Sequence, residues 1–208
     1  AISAGVLGNN KAVAVDAGMH KKFDLPVLST KDYESIRIGL ENNIEHIAAS
    51  FMRSGAFVDE VKKATNNKMK IISKIECIDA LENLDEIIEK SDFLLLDRGD
   101  LSKEISIEKI PLTQKIILSK ASKADCGVFV ATNFLESMIQ NKKPTRAEVN
   151  DVINTILDGA YGVALSAETA IGKYPIACIN MMNKLIGQAK IAKQAGSLDE
   201  KQNHIIEH

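Results

Sequence analysis

Lys74 and Glu76 close the apolar run Lys70-Ile-Ile-Ser-Lys-Ile-Glu76, and Asp100 follows a second run, Phe93-Leu-Leu-Leu-Asp-Arg-Gly-Asp-Leu101. On a strand, residues two apart point to one face, so the first run sets an ammonium beside a carboxylate. Gly99 lets backbone approach a ligand closely, and Asp100 beyond it can reach a cation. Two carboxylates from neighbouring strand ends suit a hard divalent ion that keeps some waters and takes its other ligands from substrate oxygens. A surface ion pair at 74 and 76 and a turn aspartate at 100 would use the same residues, so these positions alone leave both readings open.

The elements that must position this chemistry are buried parallel strands, which read as short apolar runs and deliver their side chains at their C-terminal ends. The pattern predicts strands over 46–50, 70–75, 93–96, 128–132 and 162–166. It predicts helices near 56–65, 78–89, 111–125, 146–159 and 175–193, and an earlier helix starting at Ser29-Thr-Lys-Asp32 and breaking at Asn42-Asn43. Strands alternating with helices indicate a parallel α/β arrangement with right-handed crossovers, either a doubly wound sheet or part of a (β/α)8 barrel. Thr145-Arg-Ala-Glu148 after Pro144 has the form of a capping box, the best specified helix start in the chain.

Each predicted strand ends on polar or small residues: Ser50, Lys74 with Glu76, Asp97 to Asp100, Thr132-Asn133, and Ser166 with Glu168. In a parallel barrel such ends converge on the face where barrel enzymes keep their active sites. Taken singly, Thr132 also suits a β-branched strand position, and Ser166 with Glu168 also suits a cap on the following turn.

Composition narrows the classes. A chain of 208 residues, 45% hydrophobic, buries a substantial core. A net charge of −2 provides no basic field for nucleic acid or a membrane surface, and aromatics at 4% without tryptophan supply no stacking platform. Cys77, Cys126 and Cys178 are odd in number and outside any CxxC spacing, which points to reduced core thiols in a cytoplasmic setting and away from zinc. No apolar run reaches membrane-spanning length, and the start shows no signal peptide. Residues 1–24, with Gly5, Gly8-Asn9-Asn10 and Gly18, predict a hairpin and an irregular connection, and 196–208 a frayed tail or interdomain lead.

Residue by residue the chain resembles the pyruvate kinase family. The matching stretches are Asp24-Leu-Pro26 with Lys31-Asp32, Ser50-Phe-Met-Arg53, Ile72-Ser-Lys-Ile-Glu76, Arg98-Gly-Asp-Leu101 with Glu104-Ile105, and Ala131-Thr132 with Leu135-Glu-Ser-Met-Ile139. They continue through Pro144-Thr-Arg-Ala-Glu148, Leu157-Asp-Gly-Ala160 and Ser166-Ala-Glu-Thr-Ala170, in the family's order. Gly5-Val-Leu-Gly8 with Lys11 is similar to the family's return from its small β-domain into the barrel. The resemblance therefore divides the chain into the end of that β-domain (1–24), a partial TIM-type catalytic barrel of about five of eight strands (25–195) and a tail (196–208).

It also implies phosphoryl transfer from phosphoenolpyruvate to ADP, with Mg²⁺ or Mn²⁺ held by Glu76 and Asp100. Lys74 would neutralise phosphoryl and enolate oxygens. The Gly99-Asp100 backbone and the Thr132 hydroxyl would bind the substrate carboxylate, and Ser166 with Glu168 would line the far wall near the proton source. The helix after Thr145 falls near the family's subunit contacts, which implies a homo-oligomer. The family's K⁺ ligands and its phosphate-binding arginine lie on strands that this chain does not include, so five strands would leave two open sheet edges.

Four substitutions depart from the pattern: Asp97 for a small residue, Ser102 and Ala167 for glycines, and Asn133 for a glutamine. Asp97 matters most, because a carboxylate near an anionic substrate costs a few kcal/mol unless a cation or proton offsets it. It could serve as an extra metal ligand or a general acid. Two further readings keep these residues: a metal-dependent enolate enzyme of aldolase or lyase type without ADP, and a non-catalytic binding or assembly relative.

Overall fold

A computed structural model describes residues 26–195 together with 197, 200–202 and 206. The hairpin and connection expected over 1–24, and most of the tail, lie outside the described residues. The chain runs α1 (Thr30–Glu41), β1 (His46–Ala49), α2 (Gly55–Ala64), β2 (Lys70–Ile75), α3 (Ile78–Glu82), α4 (Leu84–Lys90), β3 (Phe93–Asp97) and α5 (Arg98–Leu101). It continues through α6 (Ile110–Lys123), β4 (Gly127–Ala131), α7 (Arg146–Leu157), β5 (Gly162–Ala164), α8 (Ala167–Ala170) and α9 (Pro175–Gln194). Short 3₁₀ turns cover Ile107–Lys109 and Glu136–Ile139.

The five strands form one sheet in the order β1-β2-β3-β4-β5, and every pair is parallel. Sequential parallel order with a helical crossover at each step is the construction of a (β/α)8 barrel wall rather than of a sheet with a reversal in strand order. Among the described residues β1 and β5 have no outer neighbour, as expected for part of a barrel. Register assigns the two faces. Ile71, Ile75, Leu94, Leu96, Val128 and Val130 are buried under the helices, against Val58 and Val61 of α2, Ile87 of α4, Ile117 of α6 and Val152 of α7. Each such aliphatic contributes about 1.5–3 kcal/mol on burial. The opposite face carries Ile72, Lys74, Phe93, Leu95, Asp97, Phe129 and Ala131, side by side by register. Phe93, Phe129 and Tyr161 pack together at the strand starts, with ring centroids 5.3–5.7 Å apart. Lys74 and Asp97 stand at the opposite, C-terminal end.

Helix starts follow local chemistry. Ser29 and Asp32 form one capping box and Thr145 and Glu148 the other. Asn42 and Asn43 end α1, with Asn43 at φ 54°. The helix expected over 78–89 is two helices, because Asn83 turns its amide to the Arg53 carbonyl (2.8 Å) and the Asp79 carbonyl (3.1 Å) at the break. Three strands stop short of expectation: β1 ends at Ala49, β4 at Ala131 and β5 at Ala164, which leaves Ser50, Thr132 and Ser166 beyond them. The three cysteines are free and buried, and burial pushes each thiol up from its ordinary range. No helix among the described residues is long and apolar enough to cross a membrane.

Candidate active site

Glu76 follows the last residue of β2, and its side chain is fully buried. One carboxylate oxygen, Oε2, accepts the Phe51 amide at 2.8 Å. Phe51 reaches this position because it takes φ 50° just after β1. The other oxygen, Oε1, lies 2.5 Å from the Lys74 ammonium, yet it accepts no hydrogen bond of acceptable geometry. The same ammonium is 3.7 Å from Asp97 Oδ2 and donates to Ser50 Oγ at 3.5 Å. Burial lowers the Lys74 pKa, but the close ion pair with Glu76 and the charges of Asp97 and Asp100 outweigh it and hold the group above the ordinary lysine value.

At the end of β3 the chain turns at once into α5. Asp97 caps that turn, Oδ1 accepting the amides of Gly99 (3.2 Å) and Asp100 (3.4 Å). Asp100 Oδ1 pairs with Lys103 at 2.5 Å. Glu76, Asp97 and Asp100 each offer a carboxylate oxygen, and the three oxygens lie within 4.8 Å of one another. The donor set is all hard oxygen, and it includes a fully buried carboxylate with an oxygen that accepts no hydrogen bond. Three carboxylates against the Lys74 and Lys103 ammoniums leave the group net negative, so these residues fit a divalent cation of the Mg²⁺ or Mn²⁺ type.

Thr132 opens the loop after β4 at φ 75°, a backbone region that a β-branched residue rarely enters. Its hydroxyl accepts the Gly99 amide at 2.9 Å and donates to the Ala131 carbonyl at 2.6 Å. Its carbonyl accepts two bonds from Arg98, whose Nη1 lies 2.9 Å from both Asp151 carboxylate oxygens and whose guanidinium stacks 4.2 Å from the Phe134 ring centre. A side chain at Gly99 would begin 3.4 Å from Asp97 Oδ1 and 3.5 Å from Thr132 Oγ1, in ordinary contact with both.

The sequence-predicted residues thus form two linked groups: Lys74, Glu76 and Asp100 with Asp97, and Gly99 with Thr132. Ser166 and Glu168 stand apart. Past β5, the buried Glu168 accepts the Ser166 amide at 2.8 Å, and the Ser166 hydroxyl lies 3.4 Å from the same oxygen. Among the described residues no hydrogen bond or ion pair joins them to the carboxylate group. Sequence reading passed over the Phe51 amide, Lys103 and the Asp151 partner of Arg98. Phe51 lies inside the Ser50–Arg53 motif and Lys103 adjoins another, whereas Asp151 lies 53 positions from Arg98 with no local signal.

Parallel strands in sequential order, with an ionic site at their C-terminal ends, define the class: part of an α/β barrel with the layout of a barrel enzyme's active-site face. The family model "Pyruvate kinase, barrel domain" matches residues 1–179. Pyruvate kinase of Dictyostelium discoideum is 43% identical over 192 residues, covering 91% of this chain and 37% of that protein. Pyruvate kinase of Mycobacterium intracellulare is 39% identical over 188 residues, 89% of this chain and 39% of its own length. Pyruvate kinase PKLR of Homo sapiens is 40% identical over 193 residues, 91% of this chain and 33% of its own. The chain belongs to the pyruvate kinase family. It spans between about a third and two-fifths of the length of these relatives.

Proposed function

We propose that this chain carries the metal- and enolate-binding part of a pyruvate kinase active site, acting in phosphoryl transfer from phosphoenolpyruvate to ADP to give pyruvate and ATP. The observation that supports it is the meeting of Lys74, Glu76 and Asp100 at adjacent strand ends in a chain of this family. Glu76 and Asp100 hold Mg²⁺ or Mn²⁺, which when bound offsets negative charge on substrate oxygens. Lys74 places its ammonium where charge gathers on the phosphoryl and enolate oxygens, and such fixed charge is the main contribution a protein makes to phosphoryl transfer. The Gly99 and Asp100 amides and the Thr132 hydroxyl receive the substrate carboxylate. Since the amides already donate to Asp97 Oδ1, and Gly99 also to Thr132 Oγ1, substrate competes with the Asp97 carboxylate for them. Ser166 and Glu168 line the far wall on the side of the proton source.

In this reading residues 1–24 end the small β-domain, 25–195 form the barrel segment and 196–208 lead out of it. The remaining barrel strands supply the phosphate-binding arginine and the K⁺ ligands, and the assembled protein is a cytoplasmic homo-oligomer. The test is calorimetry with oxalate, a planar dianion that mimics the enolate. Oxalate is expected to bind only with Mg²⁺ and to lose binding in Glu76→Gln. Oxalate binding that ignores Mg²⁺, or no binding by the folded protein, overturns the site. ADP-dependent release of pyruvate from phosphoenolpyruvate tests the reaction itself.

A further inference from the structure

The geometry points to Asp97 as a third protein ligand of the divalent cation, so that this chain holds the ion with three carboxylates and without help from substrate oxygens. The inference rests on the divalent-cation reading of the same site and deepens it.

Asp97 is preorganised for this role. Its Oδ1 is fixed by the amides of Gly99 and Asp100, while Oδ2 faces Lys74. A carboxylate held by hydrogen bonds on one oxygen keeps the other directed, as outer hydrogen bonds do for metal ligands generally. The second mark of a cation position is Glu76, whose fully buried side chain aims Oε1 into the same group with only the Lys74 ammonium, 2.5 Å away, to offset its charge. The three ligand oxygens span at most 4.8 Å, about twice a Ca²⁺–oxygen distance of roughly 2.4 Å and somewhat more than twice the roughly 2.1 Å of Mg²⁺. A small contraction therefore closes the group on Mg²⁺ or Mn²⁺. Two ammoniums stand in the same group, Lys74 beside Glu76 and Lys103 beside Asp100, and a third carboxylate gives a divalent ion the charge to compete with them.

The test is titration of the full chain with Mn²⁺, followed by the electron paramagnetic resonance of the free ion, with no substrate or nucleotide present. Asp97→Ala is expected to weaken Mn²⁺ binding by about 10–100-fold. Asp97→Asn keeps an oxygen for the two amides and removes the charge, so it reports on the ligand role even if the alanine variant fails to fold. It is expected to weaken binding at least about tenfold while circular dichroism stays unchanged. Mn²⁺ affinity within about twofold of the parent in the asparagine variant overturns the inference. Such a result beside intact Mg²⁺-dependent oxalate binding would refute Asp97 as a ligand and leave the kinase reading standing. Absence of pyruvate production beside an Asp97-dependent Mn²⁺ site would do the reverse. No Mn²⁺ binding by the folded parent chain overturns the three-carboxylate site outright.

Discussion

Arg98 grips the main-chain carbonyl of Thr132 with two nitrogens, Nε at 3.2 Å and Nη2 at 2.5 Å, and Thr132 holds φ at 75°. A β-branched residue in that region stores strain of order 1–3 kcal/mol, which surrounding bonds must offset. Arg98 supplies them while its remaining nitrogen is anchored on Asp151. Replacing Arg98 by Met is expected to lower unfolding free energy by about 2 kcal/mol, from the loss of charge-assisted bonds at a largely buried group. Arg98→Lys restores little, because an ammonium lacks the planar fork that meets the carbonyl and the carboxylate together. Urea denaturation of the three proteins checks this; full rescue by lysine would contradict it.

Lys74 is the only protein cation paired with the buried Glu76 among the described residues. Its removal leaves that carboxylate uncompensated. Lys74→Met should cost about 2 kcal/mol, less than the ~3–5 of a fully buried pair, because the Lys74 side chain is 20% exposed. The loss should be recovered by Mn²⁺, since an ion binding only the folded state stabilises it. Thermal unfolding with and without Mn²⁺ should show a larger metal-induced rise in Tm for Lys74→Met than for the parent. An equal rise would show that the ammonium and the ion do not share a position.

Glu148 joins two loops that sequence reading kept separate. Beyond capping α7, it accepts the Ser137 amide and hydroxyl, both at 2.6 Å, and so pins the turn after β4. Burial pushes its pKa up, but the Ser137 and Thr145 hydrogen bonds prevail and hold it below the ordinary 4.5. A carboxyl whose pKa is lower folded than unfolded contributes stability that is fully present above about 4.5 and disappears as pH falls through the folded value. Glu148→Gln should therefore be about 1–2 kcal/mol less stable than the parent at pH 7, with the gap closing in acid below pH ~4. Denaturant titrations at the two pH values measure the gap.

Gly172 lies against the turn that holds Glu168. A Cβ built there would sit 2.2 Å from the Glu168 carbonyl oxygen, a backbone atom that cannot swing away. Gly172→Ala is expected to displace α8 and lower stability by about 1–3 kcal/mol, as overpacking does elsewhere. A Tm equal to the parent's would show that this turn gives way without cost.

Much of this protein follows from its chain of residues. Apolar runs ending on polar or small residues mark the five strands, because a strand buried under helices spends most of its positions on apolar side chains until it ends. Ser29 with Asp32 and Thr145 with Glu148 announced two helix starts, since capping is chemistry between residues three apart. The period of two set Lys74 beside Glu76 before any coordinates, and the motifs gave the family. What the tertiary structure decided was whatever depends on strand register and on loops: that Asp97 turns back to cap its own helix and still joins Glu76 and Asp100, that β4 releases Thr132 into a strained loop, and that Asp151 anchors Arg98. Those relations link residues up to 53 positions apart. Local sequence encodes each element's preference, but only packing brings separate elements within hydrogen-bonding distance.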